Sequence, residues 1–209
     1  MGCGTIGYMK IHEWEPFLRT WSAERDAARR AEEPAQPTLG WLGFDPAPQE
    51  RIAALETRLG AVLPPSYRAF LEVTDGWRWA GEFVELLSPA DRVGPVRELT
   101  AFLHEDLTMW EREDLDADLD EEDEDEEEEE GEEQAEYQSA RWNRAVQISL
   151  TGDQTWLLLD PGDVDGDGEW AAYRYSAWSG YGPQRYDSFA ALMRAEYQSF
   201  RDLRTPRAS

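Results

Sequence analysis

The 209-residue chain has one cysteine, Cys3, two histidines, His12 and His104, and one lysine, Lys10. A single thiol cannot close an intramolecular disulfide, so the cytoplasm is the expected location. Two histidines and one cysteine are too few for a Cys/His zinc site. Neither histidine stands in a recognisable nucleophile setting, and no Gly-x-Ser-x-Gly motif occurs. Gly180-Tyr181-Gly182 begins like a dinucleotide fingerprint, but Arg185 holds the third glycine position, and no Walker-type phosphate loop is present. Catalytic residues, metal and cofactor are therefore all expected to be none, and the protein is not expected to be an enzyme.

Long apolar runs are lacking too. The longest is Phe189–Met193, whereas a membrane-spanning helix needs roughly 20 residues. No signal-peptide hydrophobic stretch follows the N-terminus. Met1-Gly2-Cys3 opens like an acylation signal, but Ile6 stands where Ser or Thr is wanted. Translation from Met9 is the plainer reading.

Positive charge is the last shortage. Lys and Arg together number 20 against 45 Asp and Glu, for a net charge of −25. Between Glu111 and Glu133 there are eighteen acids and one base, net −17 in 23 residues, which leaves −8 for the rest. General nucleic-acid binding and anionic-membrane binding both need a cationic face and are disfavoured. A basic protein partner is allowed.

What the chain does have is aromatic mass: ten Trp, eight Tyr and seven Phe. Disordered chains rarely carry so many, so most of this one is expected to fold around one core. Trp14, Phe17, Leu18 and Trp21 fall on one helical face, which predicts a helix within Ile11–Glu32. Pro16 is expected in the first turn, placing the regular start near Glu15, and Pro34 and Pro37 end it. A second helix is predicted over Pro48–Leu59 with Gly60 as its C-terminal cap. A third opens at Pro64-Pro65 with a stripe of Tyr67, Phe70, Leu71 and Thr74, and Gly76 stops it. Phe83–Leu87 is a strand candidate. Val96–Trp110 reads as a helix with Leu99, Phe102, Leu103 and Leu107 on its apolar face.

Beyond the acidic run the pattern turns to strands. Ala145–Leu150 alternates and Thr155–Leu159 is continuous, with Gly152-Asp153 as the hairpin turn between them. After a loop over Pro161–Gly168, Glu169–Ala177 sets Trp170, Ala172 and Arg174 opposite Ala171, Tyr173 and Tyr175. Ser188 caps a last helix bearing Phe189, Leu192, Met193 and Tyr197. Helices followed by closely connected strands predict an α+β fold with an antiparallel sheet packed by helices, plus an extra N-terminal helix.

Glu56, Leu59-Gly60, Leu63-Pro64, Tyr67 and Phe70-Leu71, closing at Gly76, match the pattern Glu-x-x-Leu-Gly, Leu-Pro-x-x-Tyr-x-x-Phe-Leu, Gly. This stretch resembles the signature of the SMI1/KNR4 (SUKH) family. Val146–Ser149, Leu158–Pro161, Gly168–Trp170 and Tyr186–Phe189 also look like that family's sheet and closing helix. The expected organisation is an N-terminal extension over residues 1–38, a SUKH-like domain over 39–205, and an acidic insertion over 111–136 within it. The resemblance implies a non-enzymatic, protein-binding fold, used in bacteria for immunity proteins that block a cognate toxin, often a nuclease. An intracellular interaction scaffold or regulator with no toxin partner is the alternative. The matched residues themselves read as structural, being apolar at helical spacing or serving backbone geometry. Glu56 is the exception, since an acid facing the core needs a backbone N–H or an Arg.

Candidate contact residues lie elsewhere. Asp75, Trp77 and Trp79 follow the third helix, and Trp178 and Tyr181 follow the last strand, with aromatics near acids as at interface hot spots. The same aromatics also fit a role as core lids. The acidic run, represented by Glu126, Glu127 and Glu128, reads as a solvated loop held extended by its own repulsion. Two other readings stand beside it: a helix continuing from Leu107 to Gly131, and a mimic of a phosphate backbone that occupies a toxin's cationic groove. Asp163-Val-Asp165-Gly-Asp167-Gly168 matches the opening of a calcium loop, but Ala171 and Arg174 hold its ninth and twelfth positions, so an Asp/Gly-rich turn is expected.

Overall fold

The computed structural model describes residues 9–119 and 141–204. Helix α1 (Ile11–Glu32) is followed by α2 (Gln49–Leu59) and α3 (Pro65–Leu71). Strands β1 (Trp77–Arg78), β2 (Val84–Leu87) and β3 (Gly94–Pro95) come next, then α4 (Val96–Leu99) and α5 (Ala101–Leu119). Residues 141–144 are helical (α6). They lead into β4 (Val146–Gln147), β5 (Ser149–Gly152), β6 (Thr155–Val164), β7 (Trp170–Ser176), β8 (Gln184–Tyr186) and the closing helix α7 (Phe189–Asp202). The strands form two antiparallel sheets, ordered β1-β2-β5 and β3-β4-β6-β7-β8. The fold is α+β, as expected.

Strands β6 and β7 divide the molecule into two cores, because successive side chains point to opposite faces. Leu157, Leu159, Trp170 and Ala172 face a large core built with α1, α2, α3, α7 and the smaller sheet. Leu158, Ala171, Tyr173 and Tyr175 face a second core closed by Val96, Leu103, Leu107 and Trp142. Both faces of the central hairpin are thus covered by helices. This is why Thr155–Leu159 reads as continuous and not alternating.

The N-terminal helix is part of the main core. Trp14, Leu18 and Trp21 are fully buried, and Trp14 packs 5.4 Å from both Phe70 and Phe189. Each such burial contributes roughly 1.5–3 kcal/mol before entropy is counted. The helix begins at Ile11, four residues before the expected start, and runs through Pro16. Burial of Met9 and Trp14 fixes that first turn, and the Lys10 N–H donates to Glu13 Oε2 at 2.8 Å. Packing therefore overrides the proline.

The helix α2 ends as expected at Gly60, whose φ of 66° is left-handed. In α3, Tyr67, Phe70 and Leu71 are buried, and Thr74 just beyond it is also buried. Glu56 finds both kinds of partner its position requires: its Oε1 accepts from the Leu63 N–H at 3.2 Å and from Arg68 at 2.9 Å.

The helix expected over Val96–Trp110 is broken at Thr100, whose N–H bonds to the Val96 carbonyl at 2.8 Å. The break changes the helical phase. Leu103 and Leu107 stay buried, whereas Leu99 and Phe102 are 45% and 57% exposed, contrary to the expected stripe. The helix then carries on to Leu119, and the rest of the acidic run lies outside the described residues.

Two strand boundaries also move. The β5–β6 turn is Asp153-Gln154, with Gln154 at φ 47°, and Gly152 ends β5. A Cβ on Gly152 would collide with the Phe83 carbonyl, which gives that glycine its reason. Strand β6 runs past the expected loop start to Val164, including Pro161. Its neighbour β4 pairs only with Leu158 and Leu159, so Pro161 lies where no ladder partner is lost on that side. Ser188 caps α7 through its hydroxyl, which accepts the Ala191 N–H at 3.1 Å.

Candidate protein-binding surface

The expected contact residues separate into three groups. Asp75 and Trp77 are structural. Asp75 is 4% exposed, pairs with Arg51, and accepts the Ala90 N–H at 2.7 Å. Trp77 is fully buried, with ring centroids 5.1 Å from Trp41 and 6.0 Å from Trp21. Neither side chain is on the surface, which corrects the expectation for these two. The hairpin β1–β2 turns inward and carries Trp77 under α1, so the core-lid reading wins there. Trp79 is half-buried against the main core at φ 52°, its N–H on the Glu85 carbonyl at 2.6 Å.

Trp178 and Tyr181 are on the surface, 51% and 78% exposed. A 3-10 turn over Ala177–Ser179 and the left-handed Gly180 project them beyond the end of β7. Trp178 is held in place: its indole N–H donates to the Asp153 carbonyl at 2.8 Å, and its ring stands edge-on to Phe83 at 4.9 Å. A fixed, half-exposed indole suits recognition, since little side-chain entropy remains to be lost. Glu126, Glu127 and Glu128 lie outside the described residues.

The Asp/Gly turn between β6 and β7 is self-satisfied. Asp165 Oδ1 accepts the N–H groups of Asp167 and Glu169, both at 2.9 Å. Asp163 is bound by Arg185 at 3.0 Å, and that hydrogen bond holds its carboxyl below the usual carboxylate range. Glu169 points inward and caps α3, accepting from the Ser66 N–H at 2.7 Å and its hydroxyl at 2.6 Å. Burial raises its pKa against those two bonds. These side chains line a cavity of about 220 Å³ with Arg185 and Asp187. Among the described residues, no three of His, Cys, Asp and Glu converge to hold a metal ion.

One more carboxyl is unusual. Glu196 on α7 is 2% exposed, and desolvation raises its pKa to about 7 despite the Arg174 guanidinium 3.3 Å away. A Cβ on Gly81 would strike this carboxylate.

Sequence reasoning overlooks a second aromatic surface. Phe102 and Met109 on α5 are both more than half exposed, and Trp110 and Trp156 are half-buried beside them. Phe102 reads from sequence as core because the Thr100 break is invisible there. Trp156 reads as core because it opens a continuous apolar run. The position of Trp110 immediately before the acidic run is the one signal that singles out this end of α5.

No helix among the described residues is long and apolar enough to cross a membrane. The family model of SMI1 / KNR4 (SUKH-1) matches residues 46–195. The match begins after α1, so the helix that supplies Trp14, Leu18 and Trp21 lies outside it. No curated protein matches the chain.

Proposed function

The chain belongs to the SMI1/KNR4 (SUKH-1) family, and on that premise we propose that it is a non-enzymatic immunity protein. It binds a cognate bacterial toxin domain of basic character, such as a nuclease, in the cytoplasm and blocks the toxin's active surface. The observation that carries this reading is the family match together with the net charge of −25. Domains of this family are generally non-enzymatic and take protein partners. An acidic chain steers itself toward a cationic partner and is repelled by nucleic acid and anionic lipid.

Trp178 and Tyr181 are the proposed contacts at the end of β7. Their exposure and the anchoring of the Trp178 indole support that role. The acidic run adds on-rate, and phosphate mimicry in a nuclease groove is its proposed mode. The test is growth rescue: if a gene neighbouring this one encodes a toxin domain, that domain is expressed alone, and then together with the full chain; neighbours with no toxin domain favour an interaction scaffold instead. Restored growth supports the proposal. Continued toxicity with both proteins expressed contradicts it.

A further inference from the structure

The exposed side of α5 presents apolar surface to a partner. Phe102 and Met109 are seven residues apart, two turns, and therefore share a helix face. They are 57% and 51% exposed. Phe102 meets the Trp156 ring at 6.2 Å, and Trp156 stacks on Tyr175 at 6.2 Å. The Tyr175 hydroxyl accepts the Trp110 indole N–H at 2.8 Å. A Cβ on Gly182 would lie 3.8 Å from the Trp110 ring, which brings the loop carrying Tyr181 to the same place. These contacts join α5, β6, β7 and the 177–182 loop into one aromatic shelf.

The shelf is polar at one point. Asp106 lies one turn beyond Phe102 on the same helix, and the Tyr175 hydroxyl donates to its Oδ2. A carboxylate between two apolar side chains suits an arginine or lysine flanked by apolar groups. Past Trp110, α5 continues through Glu111, Glu113, Asp114, Asp116 and Asp118 with Arg112 as the single base before Leu119, so the field beside the shelf is strongly negative. That field selects among occupants. A second copy of this chain would bring another −25, and nucleic acid and anionic lipid are repelled in the same way.

We propose that this shelf, centred on Phe102, Asp106, Met109 and Trp156, docks a cationic protein segment that carries apolar anchors among its Arg and Lys residues. The inference rests on the protein-binding reading above and assigns it a face. The apolar anchors cover Phe102 and Met109, a basic side chain reaches Asp106, and the remaining basic residues are drawn to the acidic continuation of α5 before Leu119.

The test uses the full chain and two fluorescein-labelled peptides of equal positive charge. One alternates Arg with Trp and Leu; in the other, every Trp and Leu is replaced by Ser. Anisotropy at physiological salt is expected to show the first peptide binding about ten-fold more tightly. In the double variant Phe102→Ser, Met109→Ser that preference disappears, while the Ser peptide binds as before. Both side chains are mostly exposed, so the fold tolerates the change; each single variant repeats the test if the double one melts early. No preference for the apolar peptide, or a preference the substitutions leave intact, overturns the proposal. So does a dimer of the parent chain in sedimentation that the double variant dissolves, since the occupant is then a second copy. The growth assay separates this inference from the function itself. Rescue by the double variant at parental strength means that the toxin docks elsewhere, with immunity intact. Failed rescue by the parent chain alongside a clear peptide preference means that the shelf serves a different partner.

Discussion

Glu196 makes the stability of this protein fall as pH rises through the neutral range. Its folded pKa is about 7, against an ordinary value of 4.5. The cause is burial at 2% exposure, only partly offset by Arg174. Between those two values the folded chain holds a proton that the unfolded chain has released, so folding is favoured at the acidic end and weakened toward the basic end. The contribution is fully present below about 4.5 and lost once the pH passes about 7. Each pKa unit is worth about 1.4 kcal/mol, so the window of roughly 2.5 units costs on the order of 3 kcal/mol by pH 8. Glu196→Gln keeps the shape and cannot ionise. It is expected to exceed the parent by less than about 1 kcal/mol at pH 5 and by about 3 kcal/mol at pH 8. Urea unfolding followed by tryptophan fluorescence at both pH values measures this. The comparison of the two proteins cancels every other titrating group. An equal stability difference at pH 5 and pH 8 would refute the reasoning.

Trp14→Ala removes a fully buried indole packed on Phe70 and Phe189 and should cost about 3–5 kcal/mol in denaturant unfolding. Gly76→Ala should lower the melting temperature more than Gly60→Ala. Both glycines have positive φ, but only the Gly76 Cβ meets a backbone atom, the Leu87 carbonyl at 2.8 Å, while the Gly60 Cβ meets nothing. Millimolar calcium should leave the melting temperature unchanged, because Asp165 already accepts two backbone N–H groups and Asp163 is held by Arg185; sub-millimolar affinity in calorimetry would contradict this. Deleting Asp114–Glu133 should slow association with a basic partner most strongly at low salt, and an unchanged on-rate and salt dependence would end the mimicry reading.

Periodicity made the helices legible wherever local pattern and packing agree. The stripes of α1 and α3, the left-handed Gly60 and the Ser188 cap all follow from residue types at known offsets. The opposed faces of β7 are equally legible, and they assign Trp170 and Ala172 to one core and Tyr173 and Tyr175 to the other. The short strands β1, β3 and β8 are not, because two or three residues are too few to show a period of two. The phase of α5 is hidden by a break at Thr100, whose backbone is non-helical at φ −145° and ψ 85° and whose hydroxyl is held by Gln147, 47 residues away in sequence. For the surface, a tryptophan beside an acid reads the same whether buried or exposed. Trp77 went to the core and Trp178 to the rim, and the difference comes from the path of the β1–β2 hairpin. The need of Glu56 for a partner could be seen in the sequence, but its identity as Arg68 could not.

On the proposed function, this acidic family member forms a stoichiometric complex with a basic toxin domain. Calorimetric titration of the purified full chain with a basic toxin domain drawn from its genomic neighbourhood or captured on the chain from its native cells, read together with that toxin's own activity, tests it most directly. A one-to-one, salt-sensitive complex in which the toxin is silent is the predicted result. Heats no larger than dilution, with the toxin fully active at saturating chain, would contradict it.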